Sequence, residues 1–414
     1  MAKAAGAVSA PAARRSPINQ WIRRVAAVAL AAAALVVSAR VIADHYHGDT
    51  LWRNALASLG GTQRNGDFGY IFLPAGDDVI GGRNPYLDPD AILGPAQAPY
   101  AYPPVLAFLV VPFSAMPERV RGTFLPGVLF SLLLIGAVVG AMALFDVRDW
   151  RCYPLALAYP VTVETIEYGA LGPLLLLLIA AAWRFRDRAW LSGGATGVAV
   201  VLKLFLWPLV LWLAMTQRIK AAGIAILATV GLAVLSWSLI AFQGLTNYPR
   251  LLQKLVDVEG GNSYSTFALL RMLGLPEVAA RATELVIGAV LLGLAWHASR
   301  VVGPARQRDA HALVLTVAGA LVMTPILWLH YLVLLLVPIS LARPRLSPLW
   351  FVPLGLTVFE ALDWYRGWPY GDAKALLSVA VVVTIVFAAA LLPSTAWMDS
   401  RRHRDRSAAA LWNS

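Results

Sequence analysis

"GGATGVAVVLKLFLWPLVL", residues 193 to 211, is apolar or small throughout except for a lysine at its middle, Lys203. It belongs to a longer apolar run, 189 to 216, with Arg184, Arg186 and Arg188 before it and Arg218 and Lys220 after it. A helical membrane crossing takes about 20 predominantly apolar residues, so the run is too long for one crossing and short for two. Basic clusters mark the same, cytoplasmic side of a membrane, and both flanks are basic, so the chain must go out and come back. The reading is a hairpin of two short helices with Lys203 at its apex. A charge inside an apolar stretch faces a cavity or an interface rather than lipid. Residues 152 to 183 repeat the pattern, and their apex, "ETIEYGALGP", carries Glu164, Glu167 and Tyr168.

The composition agrees. The chain is 59% hydrophobic and 14% charged, against about 25% charged in soluble domains. A single soluble core could not hide that much apolar surface, so the bilayer must cover it. The net charge of +11 follows from arginines at cytoplasmic helix ends. No basic stripe interleaved with aromatics lies in a soluble segment, so nucleic acid is excluded as a partner. The single cysteine, Cys152, cannot form an internal disulfide and reads as a small buried hydrophobe.

Threading by charge places further cytoplasmic loops at Arg148/Arg151, Arg300/Arg306/Arg308, Arg343/Arg345 and Arg401 to Arg406. The apolar run inside 21 to 43 follows four arginines and is longer than a signal-peptide core. It reads as an uncleaved first crossing. Leu125–Leu144 returns, Ile219–Ala241 goes out, Ala282–Ala298 returns, and two hairpins follow, over 313 to 341 and 349 to 392. The expectation is an all-α polytopic membrane protein of about twelve transmembrane helices with both termini cytoplasmic. Residues 1 to 20 form a disordered cytoplasmic N-terminus, 21 to 394 a single transmembrane domain, and 395 to 414 a basic cytoplasmic tail. The outer loops are 44 to 121 and 243 to 278. In the first, "PVLAFLVVPFSAM" (104 to 116) is too short for a crossing and reads as a juxtamembrane helix, which leaves Arg119 and Arg121 outside.

"NGDFGYIFLPAGDDVIGGRNPYLDPD" (65 to 90) puts five aspartates in that first outer loop. Pro74 should divide Asp67 to Ile80 into two short helical pieces. The topology collects Asp67, Asp77, Asp78, Tyr102, Glu164, Glu167, Lys203, Asn262, His330, Asp363, Tyr365 and Arg366 on the outer face. A carboxylate or histidine there can deprotonate a hydroxyl, and a cation can stabilise a departing phosphate. Simpler readings stand beside these: Asp67 as a helix N-cap, Lys203 as a lysine snorkelling to headgroups, His330 as a belt residue beside Trp328, and Asp77 and Asp78 as solvated loop acids.

An ordered series of motifs resembles the membrane-embedded glycosyltransferases with the C-type fold. The closest resemblance is to the polyprenyl-phosphate-mannose-dependent mannosyltransferase-like family, glycosyltransferase family 87. "DFGYIF" and "GGRNPY" look like its first-loop aspartate and Gly-x-x-Pro-Tyr turn. "YAYPPVLAFLVVPF" looks like its Tyr-Pro-Pro segment, and "EYGALGPLLLLL" resembles its Gly-Gln helix start. The lysine-bearing run of the opening resembles its glycine-rich helix. "GNSYSTFALLRML" and "TPILWLHYLVLLLVP" resemble its Asn-x-Ser and Pro-x-x-Trp-x-His segments. Two departures stand out: Ala170 where glutamine is usual, and Tyr331 where a second histidine is common.

The resemblance implies C-type architecture and transfer of a hexose, mannose by family default, from a polyprenyl-phosphate sugar to a lipid or glycan acceptor at the outer face of the inner membrane. It implies Asp67 as general base, Lys203 and His330 at the donor phosphate, and Tyr102, Glu164, Glu167 and Asn262 on the substrates. No nucleotide-binding motif is needed, because the lipid phosphate is the leaving group, and none is found. No cofactor is expected. Asp77 and Asp78 are able to hold a divalent ion, while a lysine can neutralise the phosphate without one. The rival readings are a transporter or lipid flippase, which favours midplane charges and internal repeats, and a polysaccharide polymerase or ligase.

Overall fold

The computed structural model describes residues 66–92, 99–123, 125–301, 303–357 and 370–391. Among these the chain is helical, with no strands. The first expected crossing, the two tails, and Asp363, Tyr365 and Arg366 lie outside the described residues.

Three described helices are long and apolar enough to cross a membrane: Leu125–Leu144, Ile219–Leu239 and Glu277–Arg300. A fourth crossing results if Pro160–Tyr168 and Gly172–Arg184 count together, although they meet at 114°. Shorter apolar helices include Pro104–Ser114, Ala189–Leu202 and Leu329–Ala342. Ile219–Leu239 and Glu277–Arg300 expose rows of large apolar side chains, including Leu227, Val230, Val234, Leu285, Val286 and Val290. A continuous exposed apolar face of this kind is what a lipid-covered surface requires.

Helix contacts rest on small residues. A Cβ on Gly193 would lie 2.5 Å from the Ala221 carbonyl, and one on Gly197 would lie 2.6 Å from the Ala228 Cβ. Ala189–Leu202 therefore sits directly against Ile219–Leu239, as small residues spaced four apart permit in membranes. The middle of the molecule is the Leu329–Leu335 3₁₀ segment continued by Leu336–Ala342, every residue of which is buried except the half-buried Leu341.

The basic loops converge. Arg218 binds Asp187 and Asp309, both at 2.8 Å, and Arg186 approaches Asp309 at 3.4 Å. The Trp212 indole N–H donates to the Asp309 carbonyl at 3.1 Å. Arg306 approaches Asp146 at 3.7 Å, and the backbone N–H of Leu346 donates to Asp149 at 3.2 Å. Segments around 146–151, 186–187, 218, 306–309 and 344–346 thus share one end of the bundle. The Asp187–Arg218 contact shows that the lysine-bearing stretch leaves this end and returns to it. Its helix stops at Leu202, and Lys203 takes extended backbone (φ −149°, ψ 102°) before the turn Leu204–Leu206 and the returning helix Pro208–Met215.

The first loop corrects one expectation. Asp67–Phe72 is a π-helix that runs straight into the α-helix Leu73–Ile80. Pro74 does not divide it, because it stands in the first turn of the α portion, where the wider preceding turn leaves room for the ring and no N–H is missed. The N-cap is Gly66, and no side chain caps the helix, so capping does not account for Asp67. Pro104–Ser114 is the expected short helix. Arg121 is placed comfortably in this loop: it binds Asp77 at 2.6 Å and the Ser114 carbonyl at 3.1 Å.

Candidate active site at the end opposite the arginine cluster

Two glycines seat Asp67. A Cβ on Gly66 would lie 2.4 Å from the Tyr168 carbonyl oxygen. Gly169 has φ +63° and ends the Pro160–Tyr168 helix, and a Cβ there would meet the Phe68 Cβ at 2.5 Å. Only glycine fits both the left-handed backbone and the close approach. Phe68 then stacks on Phe130 at 4.3 Å and meets Phe113 edge-on at 5.4 Å, which anchors the residue next to Asp67.

Tyr102 is held by its neighbours' hydroxyls. Pro103 and Pro104 have no N–H to enter a ladder, so the carbonyls here need other donors. Tyr248 donates to the Ala101 carbonyl at 3.0 Å, Tyr86 to that of Tyr102 at 2.9 Å, and Tyr100 to that of Pro103 at 2.7 Å. Tyr86 and Tyr248 pack together with Trp237. Phe72 meets the Tyr102 ring edge-on at 5.3 Å.

The Tyr102 hydroxyl and the Lys203 charge both favour the ionised form of the Asp67 carboxyl. The Lys203 ammonium lies 3.9 Å from the centre of the Tyr102 ring and 4.9 Å from that of Tyr331. It points inward between two aromatic faces, a cation–π arrangement, and so does not snorkel to headgroups. Asp67 and Lys203 feel one another's charge, yet they are not among the direct ion pairs of the described residues. Burial raises the Asp67 carboxyl to about 6, against the pull of the Lys203 charge and the Tyr102 hydroxyl.

His330 is 6% exposed and its Nε2 has no hydrogen-bond partner. It is buried and feels the charge of Lys203, and its ring meets Tyr331 edge-on at 4.4 Å. Its backbone is fixed from behind: Thr165 donates to the His330 carbonyl at 3.1 Å, and a Cβ on Gly172 would meet that oxygen at 2.6 Å. A buried belt residue is not an interfacial one, so the simpler reading of His330 does not hold.

Glu164 and Glu167 are half-buried on the Pro160–Tyr168 helix. The Tyr168 hydroxyl feels the charge of both of them and of Asp67. Asn262 ends the 3₁₀ turn Gly260–Asn262, and its side chain lies outside the described residues. Its neighbours dock onto the His330 segment: Tyr264 N–H donates to the Leu327 carbonyl at 2.7 Å and Ser263 to that of Pro325 at 3.4 Å. Asp77 and Asp78 stand apart, engaged by Arg121 and Arg83 at 2.6 and 2.9 Å. Tyr331 and Tyr168 belong to the site and were not among the expected site residues. Tyr331 is embedded in an apolar run where no periodicity or spacing marks it, and only its departure from the family pattern drew notice.

The family model for glycosyltransferase family 87 matches residues 100–338, more than half of the chain. The chain belongs to glycosyltransferase family 87. Comparison with curated proteins and with solved structures gave no match. Tyr102, Glu164, Glu167, Lys203, Asn262 and His330 of this glycosyltransferase fall inside the matched region, and Asp67 precedes it. Membership makes the protein a membrane glycosyltransferase with a sugar donor and an acceptor, and it sets aside the transporter and flippase readings.

Proposed function

We propose that this family 87 glycosyltransferase transfers a hexose, mannose by family default, from a polyprenyl-phosphate sugar to a hydroxyl of a lipid or glycan. The reaction takes place at the outer face of the inner membrane, with inversion at the anomeric carbon. In this reading both termini are cytoplasmic and about twelve helices cross the bilayer in a C-type architecture.

The observation that carries the reading is the relation of Asp67 to Lys203. A carboxylate and an ammonium flank Tyr102 without forming a direct ion pair, and His330, whose Nε2 has no partner, feels the ammonium's charge. Asp67 takes the proton of the acceptor hydroxyl as its oxygen bonds to the anomeric carbon. The bond from that carbon to the phosphate oxygen breaks on the opposite side. The leaving polyprenyl phosphate carries the electron pair and is stabilised by Lys203 and His330. Glu164, Glu167 and Asn262 are assigned to the acceptor side, and Tyr102 separates the base from the leaving group. Leu204 and Trp207, both exposed next to Lys203, offer apolar surface for the isoprenoid chain. The reading requires no metal: the lysine supplies the charge, and Asp77 and Asp78 are already engaged by arginines.

The test is reconstitution in liposomes with radiolabelled polyprenyl-phosphate sugars and an envelope lipid extract as acceptor. Wild-type protein should label a product, and Asp67→Asn should lose about a hundred- to ten-thousand-fold of that rate. Full transfer by the variant would remove Asp67 as base. Absence of transfer by wild type from every donor would remove the donor assignment. For the topology, cysteines at the exposed positions Tyr168 and Trp190, at opposite ends of the bundle, should label from outside and from the cytoplasm respectively. Labelling of both from one side would sink the threading.

A further inference from the structure

The helix Glu277–Arg300 packs antiparallel to the next one, Ala305–Val322. A Cβ on Gly288 would collide with the Met323 side chain, and one on Gly319 would meet Leu292 at 3.4 Å. Arg308 stands eleven residues before Gly319, about three helical turns, so it lies on the same face. Positions 288 and 292 face 323 and 319, and the same register carries Arg308 to the turn, beside Arg300.

The acids of this corner are already engaged. Asp309 takes Arg218 at 2.8 Å with Arg186 at 3.4 Å, and Asp146 takes Arg148 at 3.0 Å with Arg306 at 3.7 Å. Arg308 makes no ion pair among the described residues. Its side chain is half-buried, and its Nε is fully buried with no hydrogen-bond partner. Arg300 is exposed and also makes no ion pair among the described residues; its guanidinium lies 4.6 Å from the centre of the Trp296 ring. Trp296 and Arg300 alone would read as an ordinary interfacial pair. A buried guanidinium nitrogen without an acceptor is different, because its lost hydration is not replaced. An acceptor from outside relieves that cost, and the guanidinium fork matches a phosphate. From this corner the exposed apolar face of Glu277–Arg300 runs away through Trp296, Leu294, Val290 and Val286. A phosphate held here has room for acyl chains directly beside it.

We propose that this corner binds the phosphate of an anionic phospholipid, with Arg308 and Arg300 as its cations and the apolar face of Glu277–Arg300 along its chains. The site lies at the end opposite Asp67 and Lys203 and is separate from the transfer reaction. The bound lipid completes the hydrogen bonding of Arg308 and stabilises the folded protein, since the site exists only when both helices are in place.

The experiment is thermal denaturation of the full-length protein in neutral detergent, titrated with phosphatidylglycerol, phosphatidylcholine or inorganic phosphate. Saturating phosphatidylglycerol should raise the wild-type Tm by about 3 °C or more, and the other two should not. Arg300→Gln/Arg308→Gln should need about tenfold more phosphatidylglycerol for half of the rise. Arg83→Gln/Arg250→Gln removes two charges from exposed pairs in the outer loops and should respond as wild type. An unchanged midpoint in Arg300→Gln/Arg308→Gln, or an equal loss in the control pair, would overturn the proposal. An equal rise with phosphatidylcholine would make the apolar face sufficient, and a rise with inorganic phosphate would make a free anion the occupant; either result overturns the lipid-phosphate assignment. The quantity read is the lipid concentration at half effect, so a variant of lower Tm is still decisive. If the double variant fails to fold, Arg300→Gln alters only an exposed side chain and should need about threefold more lipid. No change there would overturn the proposal.

Discussion

The two ends of the bundle both bury charge, and they treat it in opposite ways. At the arginine end each carboxylate is met by guanidinium or backbone donors. Asp309 takes Arg218 at 2.8 Å with Arg186 close by, and Asp149 takes Arg151 at 2.8 Å and the Leu346 N–H. Arg151, first by its hydrogen bond, holds the Asp149 carboxyl well below the usual range. At the other end Asp67 has one tyrosine hydroxyl, Lys203 has two ring faces, and His330 Nε2 has nothing. Carboxylates met in this way lock helices together. Charge left with weak partners in a buried place is costly, and a bound substrate with a phosphate and a hydroxyl would satisfy it.

The sharpest way to break this contrast is Lys203→Met, which keeps the length of the side chain and removes its charge. The expected loss is about a hundred- to a thousand-fold in kcat/KM, with little change in thermal stability measured in detergent. A loss of stability without loss of transfer would make Lys203 a structural cation like Arg218. The mirror experiment is Asp309→Ala. It leaves two partly buried guanidiniums with less compensation and should destabilise the fold by about 3–5 kcal/mol. Turnover per folded molecule should be unchanged; a selective loss of turnover would mean that the arginine end is part of the machinery.

Gly169→Ala tests the seat of Asp67. The left-handed backbone alone costs about 1–2 kcal/mol, and the new methyl must displace Phe68. Transfer should fall more than the melting temperature does. The rate profile gives a gentler probe. Asp67 works as a base only when ionised, so activity should be full above a pH of about 6 and fall as pH drops through it. An acid limb at the ordinary carboxylate range would show that burial does not act on this group. The smallest effect belongs to Asp77→Ala. Its pairing with Arg121 is about one-third exposed on both sides, and such pairs contribute at most about 1 kcal/mol. A large loss of transfer there would return Asp77 to the site.

Much of this was legible without coordinates. Leu125–Leu144 and the start of Ile219–Leu239 coincide with their apolar runs, because a lipid-covered helix has to announce its length in composition. The out-and-back path of the Lys203 stretch followed from basic flanks alone, and Arg218 meeting Asp187 agrees with it. The continuous helix through Pro74 was not legible, since a proline reads as a break unless the preceding turn is known to be wide. The role of Arg121 also escaped notice, because its partner Asp77 lies 44 positions away. Tyr331 was hidden for a related reason: in a segment buried on every side, a functional ring and a packing ring have the same surroundings in sequence.

By itself, the amino-acid sequence determined that the protein is helical and that bilayer covers it, and it singled out Asp67, Lys203 and His330 as candidates for one face. Hydropathy and charge act locally along the chain, and each segment records them independently. Only the tertiary structure decided which of those groups share a space and what separates them. It placed Tyr102 between the carboxylate and the ammonium, closed Tyr168 and Phe68 onto Gly66 and Gly169, and set the Tyr331 ring against Lys203. Such contacts depend on distances of a few ångströms between segments far apart in the chain, and no local pattern of residues encodes them.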